Sequence, residues 1–173
     1  MSDSKSEKPL VGIVMGSDSD LPVMTDTART LKQFSIPFEI EITSAHRSPA
    51  RTQEYARTAR QRGLKAIVVG AGGASHLAGV IAAETTLPVI GVPMANSPLS
   101  GMDSLLSTVQ MPGGVPVATM AVGKAGAVNA AIYAAQIIGV TDPRMEAALT
   151  KFKEDLARSV AEKSEKVKRE FQV

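Results

Sequence analysis

The sequence predicts an α/β fold built on a parallel five-stranded sheet, and three observations predict it. Short β-branched runs alternate with longer segments of helical period, the order that βαβ units impose. Four of the five runs are almost wholly apolar, as strands are when helices cover both faces of a sheet. The 173 residues amount to one domain. A domain of that size buries roughly 70% of its unfolded surface and needs no disulfide or metal.

The first strand is predicted over residues 10–15, and Gly16-Ser17-Asp18-Ser19-Asp20 leads from it into a helix over 20–34. Gly16 permits a tight turn, and hydroxyls with free N–H groups at a helix start can face an anion, which makes the turn a phosphate or ribose site. Capping accounts for one Ser or Asp there, and two of each exceed what a cap needs. No GKS or GKT follows, so the turn is not a Walker loop.

The second strand, predicted over 38–43, alternates Glu39 and Glu41 with Ile40 and Ile42, as an edge strand does. Thr43-Ser44-Ala45-His46-Arg47-Ser48-Pro49 then opens a helix over 49–62, with Pro suited to its first turn. An imidazole that can shuttle a proton near neutral pH is thereby placed beside a guanidinium that can grip phosphate or carboxylate. Ser44 and Arg47 are expected to face the same crevice as His46.

The third strand, over 65–69, runs into Gly70-Ala71-Gly72-Gly73-Ala74-Ser75-His76-Leu77, a glycine-rich turn that lets a ligand approach the backbone before a helix over 75–86. It is not a dinucleotide fingerprint, because Ser75 fills the last glycine position and no acidic residue follows about 20 positions later. His76 either contacts substrate or serves as a cap or interface residue.

The fourth strand, over 88–92, is followed by a polar loop with two Pro, Pro93 to Gly101, and a helix over 101–108. Residues 110–117 are rich in turn formers and precede a fifth strand over 115–121. Both segments read as lids or subunit contacts. Helices over 123–138 and from 143 to near 171 complete a three-layer α/β/α sandwich of flavodoxin-like (Rossmann-like) type with a long C-terminal helix. In such folds ligands sit beyond the carboxyl ends of the strands. Residues 1–9 are expected to be flexible, 10–140 to form the domain, and 141–173 to form a helix that packs on a neighbouring subunit.

Composition narrows the function. With 19 basic against 17 acidic residues, the chain lacks the marked basic excess of a nucleic-acid binder. The absence of Cys removes thiolate catalysis, iron–sulfur clusters and the usual zinc sites, and two His, His46 and His76, are too few for a multi-histidine metal site. No apolar stretch approaches the roughly 20 residues of a membrane span. The polar first ten residues hold no signal-peptide core, which points to the cytoplasm.

Charge is unevenly spread. Residues 63–141 carry only Lys65, Glu84, Asp103 and Lys124, too few for a solvated surface, and this predicts a homo-oligomer whose interfaces use that stretch. The last helix instead shows a narrow stripe of Met145, Leu149, Phe152, Leu156, Val160, Val167 and Phe171, which reaches a neighbouring subunit or frays beyond Ser164.

In combination, GSDSD, SAHRSP, GAGGASHLAG and GMDSLLSTVQMPGGVPVATMAVG resemble the PurE family of purine biosynthesis, class I, over residues 11–139. Ser48 stands where that family commonly has Thr, and Ala78 where it commonly has Pro. The resemblance implies a mutase that moves the carboxylate of 5-(carboxyamino)imidazole ribonucleotide from the exocyclic nitrogen to carbon four of the ring, with no ATP, metal or organic cofactor. It implies His46 as the acid/base group, Ser17, Asp20 and Arg47 as nucleotide-binding residues, and Ser19, Ser44 and Ala45 as further contacts. It gives Gly72, Gly73, Ala74 and His76 as the substrate-lining loop, and a homo-octamer as the assembly. Two rivals remain. One is direct carboxylation of aminoimidazole ribonucleotide on the same fold; the other is a flavodoxin-like module that binds a phosphorylated ligand, which the 3% aromatic content disfavours for a flavin ring.

Overall fold

The computed structural model describes residues 8–172. The flexible start expected for residues 1–9 therefore lies, except for Lys8 and Pro9, outside the described residues. Strands β1 (Val11–Met15), β2 (Phe38–Ile42), β3 (Ala66–Ala71), β4 (Val89–Pro93) and β5 (Ala118–Thr119) form one parallel sheet in the order β2-β1-β3-β4-β5. The helices are α1 (Leu21–Gln33), α2 (Pro49–Arg62), α3 (Leu77–Glu84), α4 (Met102–Val109), α5 (Lys124–Gly139) and α6 (Pro143–Phe171).

The central strands alternate their side chains between two cores. Ile13, Met15, Val68 and Ile90 face α1 and α5, where Met24, Leu31 and a run of small residues (Ala127, Ala130, Ala131, Ala134, Ala135) let α5 lie close against the sheet. Val14, Ile67 and Val69 face α2 and α3, against Ala56, Ala59, Leu77 and Ile81. Helices on both faces leave β1, β3 and β4 wholly buried, which is why their sequences lack the polar alternation of a one-sided sheet.

β2 is an edge strand, as its sequence predicts. Its polarity is resolved by ion pairing: Glu39 accepts from Arg62 Nη2 at 2.9 Å and Glu41 pairs with Arg51, both from α2, while Ile40 and Ile42 are exposed. β5 at the other edge holds two residues rather than the seven predicted. Pro112 and Pro116 have no N–H to give a ladder, and Gly114 turns the chain at φ 97°, so only Ala118 and Thr119 pair with β4.

Much of the charge-poor stretch is covered within the chain, since α5 lies between the sheet, α1 and α6. Of its large apolar side chains, those that stay exposed are Leu99 before α4, Met102, Leu106 and Val109 on α4, and Tyr133 and Val140. Helix α6 starts on an Asp142 cap, whose carboxylate accepts from Arg144 N at 2.9 Å. Met145, Leu149 and Phe152 pack on the α1/α5 core, with the Phe152 ring edge-on to Phe34 at 5.4 Å. The helix remains regular through Phe171, and its 29 residues span about 43 Å. Leu156, Val160, Val167 and Phe171 are exposed along it. Among the described residues no helix is long and apolar enough to cross a membrane.

Candidate active site

The turns after β1, β2, β3 and β4 converge on a cleft of about 520 Å³ at the carboxyl ends of the strands. Parallel strands deliver all four turns to the same edge of the sheet, and the helices that follow begin there.

The β1 turn divides its residues. Ser17 begins a short 3-10 turn (Asp18–Asp20), its Oγ accepting from Ser19 N at 3.3 Å, so part of the serine-aspartate run does serve capping. Ser17 and Asp20 line the cleft; Ser19, expected there, does not and is exposed to solvent. Asp20 is 3% exposed and accepts from Asn96 Nδ2 at 2.8 Å. Burial raises its pKa above the ordinary carboxylate value of 3.8, and hydrogen bonds from the turn's backbone and from Asn96 offset part of that rise.

The β2 turn is braced from beneath. Ser48 Oγ accepts from Ser44 N at 2.9 Å, Thr43 and Thr52 hydroxyls meet at 2.8 Å, and Ser44 Oγ accepts from Arg47 N at 3.2 Å. This frame presents Ser44, Ala45, His46 and Arg47 to the cleft. Arg47 Nη2 also donates to Gly16 O at 2.9 Å and so joins the β1 and β2 turns.

In the β3 turn, Gly72, Gly73, Ala74 and His76 all line the cleft. Gly73 has φ 58°, a conformation L side chains rarely adopt. A Cβ on Gly72 would overlap the Asn96 side chain. Ser75 anchors the turn from behind, its N–H donating to Ser107 Oγ at 3.1 Å and its hydroxyl to Ala71 O at 3.2 Å. His76 occupies the cap position of α3, yet its side chain makes no capping bond. Its Nδ1 instead lies 2.8 Å from His46 Nε2. The two His, 30 positions apart, thus form one unit at the cleft.

Asn96, Ser97 and Pro98 of the β4–α4 loop complete the lining, and sequence reasoning marked their loop without singling them out. The available signal was positional: the loop follows a central strand at the sheet edge where ligands bind. Among the described residues there is no group of three or more His, Asp or Glu side chains that could hold a metal. The arrangement offers hydroxyls, a guanidinium and turn N–H groups for an anion, and one imidazole pair for proton transfer.

Comparison with known proteins gives a consistent family. Residues 10–159 match the AIR carboxylase family model. The chain is 55% identical over 163 residues to the N5-carboxyaminoimidazole ribonucleotide mutase of Pyrococcus horikoshii, covering 94% of this chain and 91% of that protein. It is likewise 55% identical over 161 residues to the N5-carboxyaminoimidazole ribonucleotide mutase of Bacillus subtilis, with 93% of each covered. Among solved structures, Treponema denticola PurE superposes with a TM-score of 0.83 at 27% identity, over 92% of this chain and 99% of that one.

Proposed function

The chain belongs to the AIR carboxylase family, and on that premise we propose that it converts 5-(carboxyamino)imidazole ribonucleotide to 4-carboxy-5-aminoimidazole ribonucleotide in purine biosynthesis. The observation that carries this reading is the His46–His76 pair, set in a cleft whose other walls are hydroxyl-, arginine- and glycine-bearing turns. Such walls fit a phosphorylated ribose, and a single imidazole unit fits a reaction whose net proton count is zero.

The bond between the exocyclic nitrogen and the carboxyl carbon breaks, carbon dioxide leaves, and the nitrogen takes a proton from His46. Carbon four of the ring then attacks the carbon dioxide, and His46 recovers a proton from that carbon. One group serves as acid and then base, and ends as it began. The carbon dioxide must stay in the cleft between the steps, since its proximity to carbon four is what free solution cannot supply. Ser17, Asp20, Ser44 and Arg47 hold the ribose and phosphate. The Gly72-Gly73-Ala74 turn admits the flat imidazole close to the backbone.

Direct carboxylation of aminoimidazole ribonucleotide is the less favoured reading, because the relatives of nearly equal length are named as mutases. The test is the ultraviolet appearance of product from the carboxyamino substrate without ATP or metal, beside a run on aminoimidazole ribonucleotide with bicarbonate. Faster product from the first supports the mutase. Product chiefly from the second overturns it.

The assembly we propose is a homo-octamer. Exposed apolar residues on α4, with Tyr133, Val140 and the outer half of α6, support association, and α6 projects far enough to reach a neighbouring subunit. Light scattering that reads a monomer at micromolar concentration would remove this. The cytoplasm is the compartment we propose, because a phosphorylated ribonucleotide does not cross membranes unaided.

A further inference from the structure

Among the described residues Asn96 is the one amide side chain lining the cleft, and the reaction above gives it no task. Its Nδ2 donates to Asp20 Oδ1 at 2.8 Å, joining positions 76 residues apart. Its carboxamide lies over Gly72, close enough that any Cβ there would overlap Asn96 Oδ1. The amide is thus held between the β3 and β1 turns while belonging to the β4–α4 loop.

This geometry constrains Asp20. A carboxylate has acceptor capacity for about four hydrogen bonds and rotates freely about its last torsion unless a donor fixes its plane. With Oδ1 committed to Asn96, beside the hydrogen bonds from the turn's own backbone, the remaining lone pairs are presented in one orientation. Asn supplies the donor this requires; Asp at position 96 would place a second carboxylate against the first.

We propose that Asn96 is a positioning residue for substrate binding: it orients the Asp20 carboxylate toward the hydroxyls of the ribonucleotide and makes affinity depend on the β4–α4 loop. This rests on the ribonucleotide reading above. It also gives Gly72 a task apart from contact with ligand, which is to leave room for the amide.

The test is a four-member cycle of wild type, Asn96→Ala, Asp20→Asn and the double variant. Calorimetry gives the Kd for 4-carboxy-5-aminoimidazole ribonucleotide, and turnover and thermal melting are measured on the same samples. Loss of one hydrogen bond to a charged group predicts a Kd about tenfold higher for Asn96→Ala, with KM rising more than kcat falls. In the Asp20→Asn background the same substitution adds about twofold or less, because the group it acts through is gone. A second variant, Asn96→Asp, weakens binding further than Asn96→Ala and serves if the alanine variant does not fold. Equal Kd values for wild type and Asn96→Ala, or a full-sized effect in the Asp20→Asn background, would overturn the proposal. Tight binding of the ribonucleotide without turnover by the wild type would instead overturn the mutase reading and leave this cycle readable.

Discussion

His46 Nε2 lies 2.8 Å from His76 Nδ1, with the rings 83° from coplanar. A bond between two ring nitrogens needs one N–H and one lone pair, so it cannot join two imidazolium rings, and it couples the tautomer of His46 to that of His76. His46 is the proposed proton carrier in the reaction above. His46→Asn is therefore expected to lower turnover by about 10²–10⁴-fold while product still binds. A variant that keeps more than a tenth of the wild-type rate would refute the assignment.

His76 acts through His46 in this account. His76→Ala frees the His46 ring to reorient, and kcat should fall by about tenfold, less than in His46→Asn, with a smaller change in KM. Stopped turnover in His76→Ala equal to that in His46→Asn would make the two rings joint carriers. A kcat equal to wild type would reduce their contact to one without consequence.

Asp20 couples the site to stability. Burial raises its pKa in the folded chain, so folding takes up a proton in the interval between 3.8 and the raised value. Its contribution is fully favourable below that interval and is lost as the pH rises through the folded pKa. Asp20→Asn has no such loss. The melting temperature of the variant relative to wild type should therefore climb as pH is raised from 4 toward neutrality, while ribonucleotide affinity falls. A difference in melting temperature that is flat with pH contradicts this.

Tyr55 tests the packing of β1 against α2. Its hydroxyl is buried without a hydrogen-bond partner among the described residues, against Gly12 and with Arg62 stacked 4.5 Å from the ring centre. Tyr55→Phe removes an unsatisfied polar atom and keeps the ring, so denaturant titration should show a gain of about 1 kcal/mol. A clear loss would mean that the hydroxyl is paired.

The candidate cleft was legible in the sequence where a turn of polar or glycine-rich composition followed a strand. GSDSD, SAHRSP and the glycine-rich turn each sit directly after an apolar run, and parallel strands bring all such turns to one edge of the sheet. Less legible was anything that depends on side-chain direction. Ser19 and Asp20 are neighbours in one turn, yet one points to solvent and the other inward, which composition does not encode. Asn96 in a proline-flanked loop has the look of a connector, and only the folded chain brings it to Asp20. The His76 side chain serves no cap because His46 lies within reach, a contact across 30 residues. At the sheet edges, prolines shortened β5, and ion pairs to α2 turned the glutamates of β2 inward.

The most direct measurement of the central claim is the origin of the transferred carbon. Unlabelled 5-(carboxyamino)imidazole ribonucleotide is turned over in buffer enriched in carbon-13 bicarbonate, without ATP, and the product carboxylate is read by mass spectrometry at early times. Transfer within the cleft predicts a product that keeps the substrate's own carbon and carries little label. A product labelled to the level of the surrounding carbon dioxide pool would contradict it and make the enzyme a carboxylase of aminoimidazole ribonucleotide.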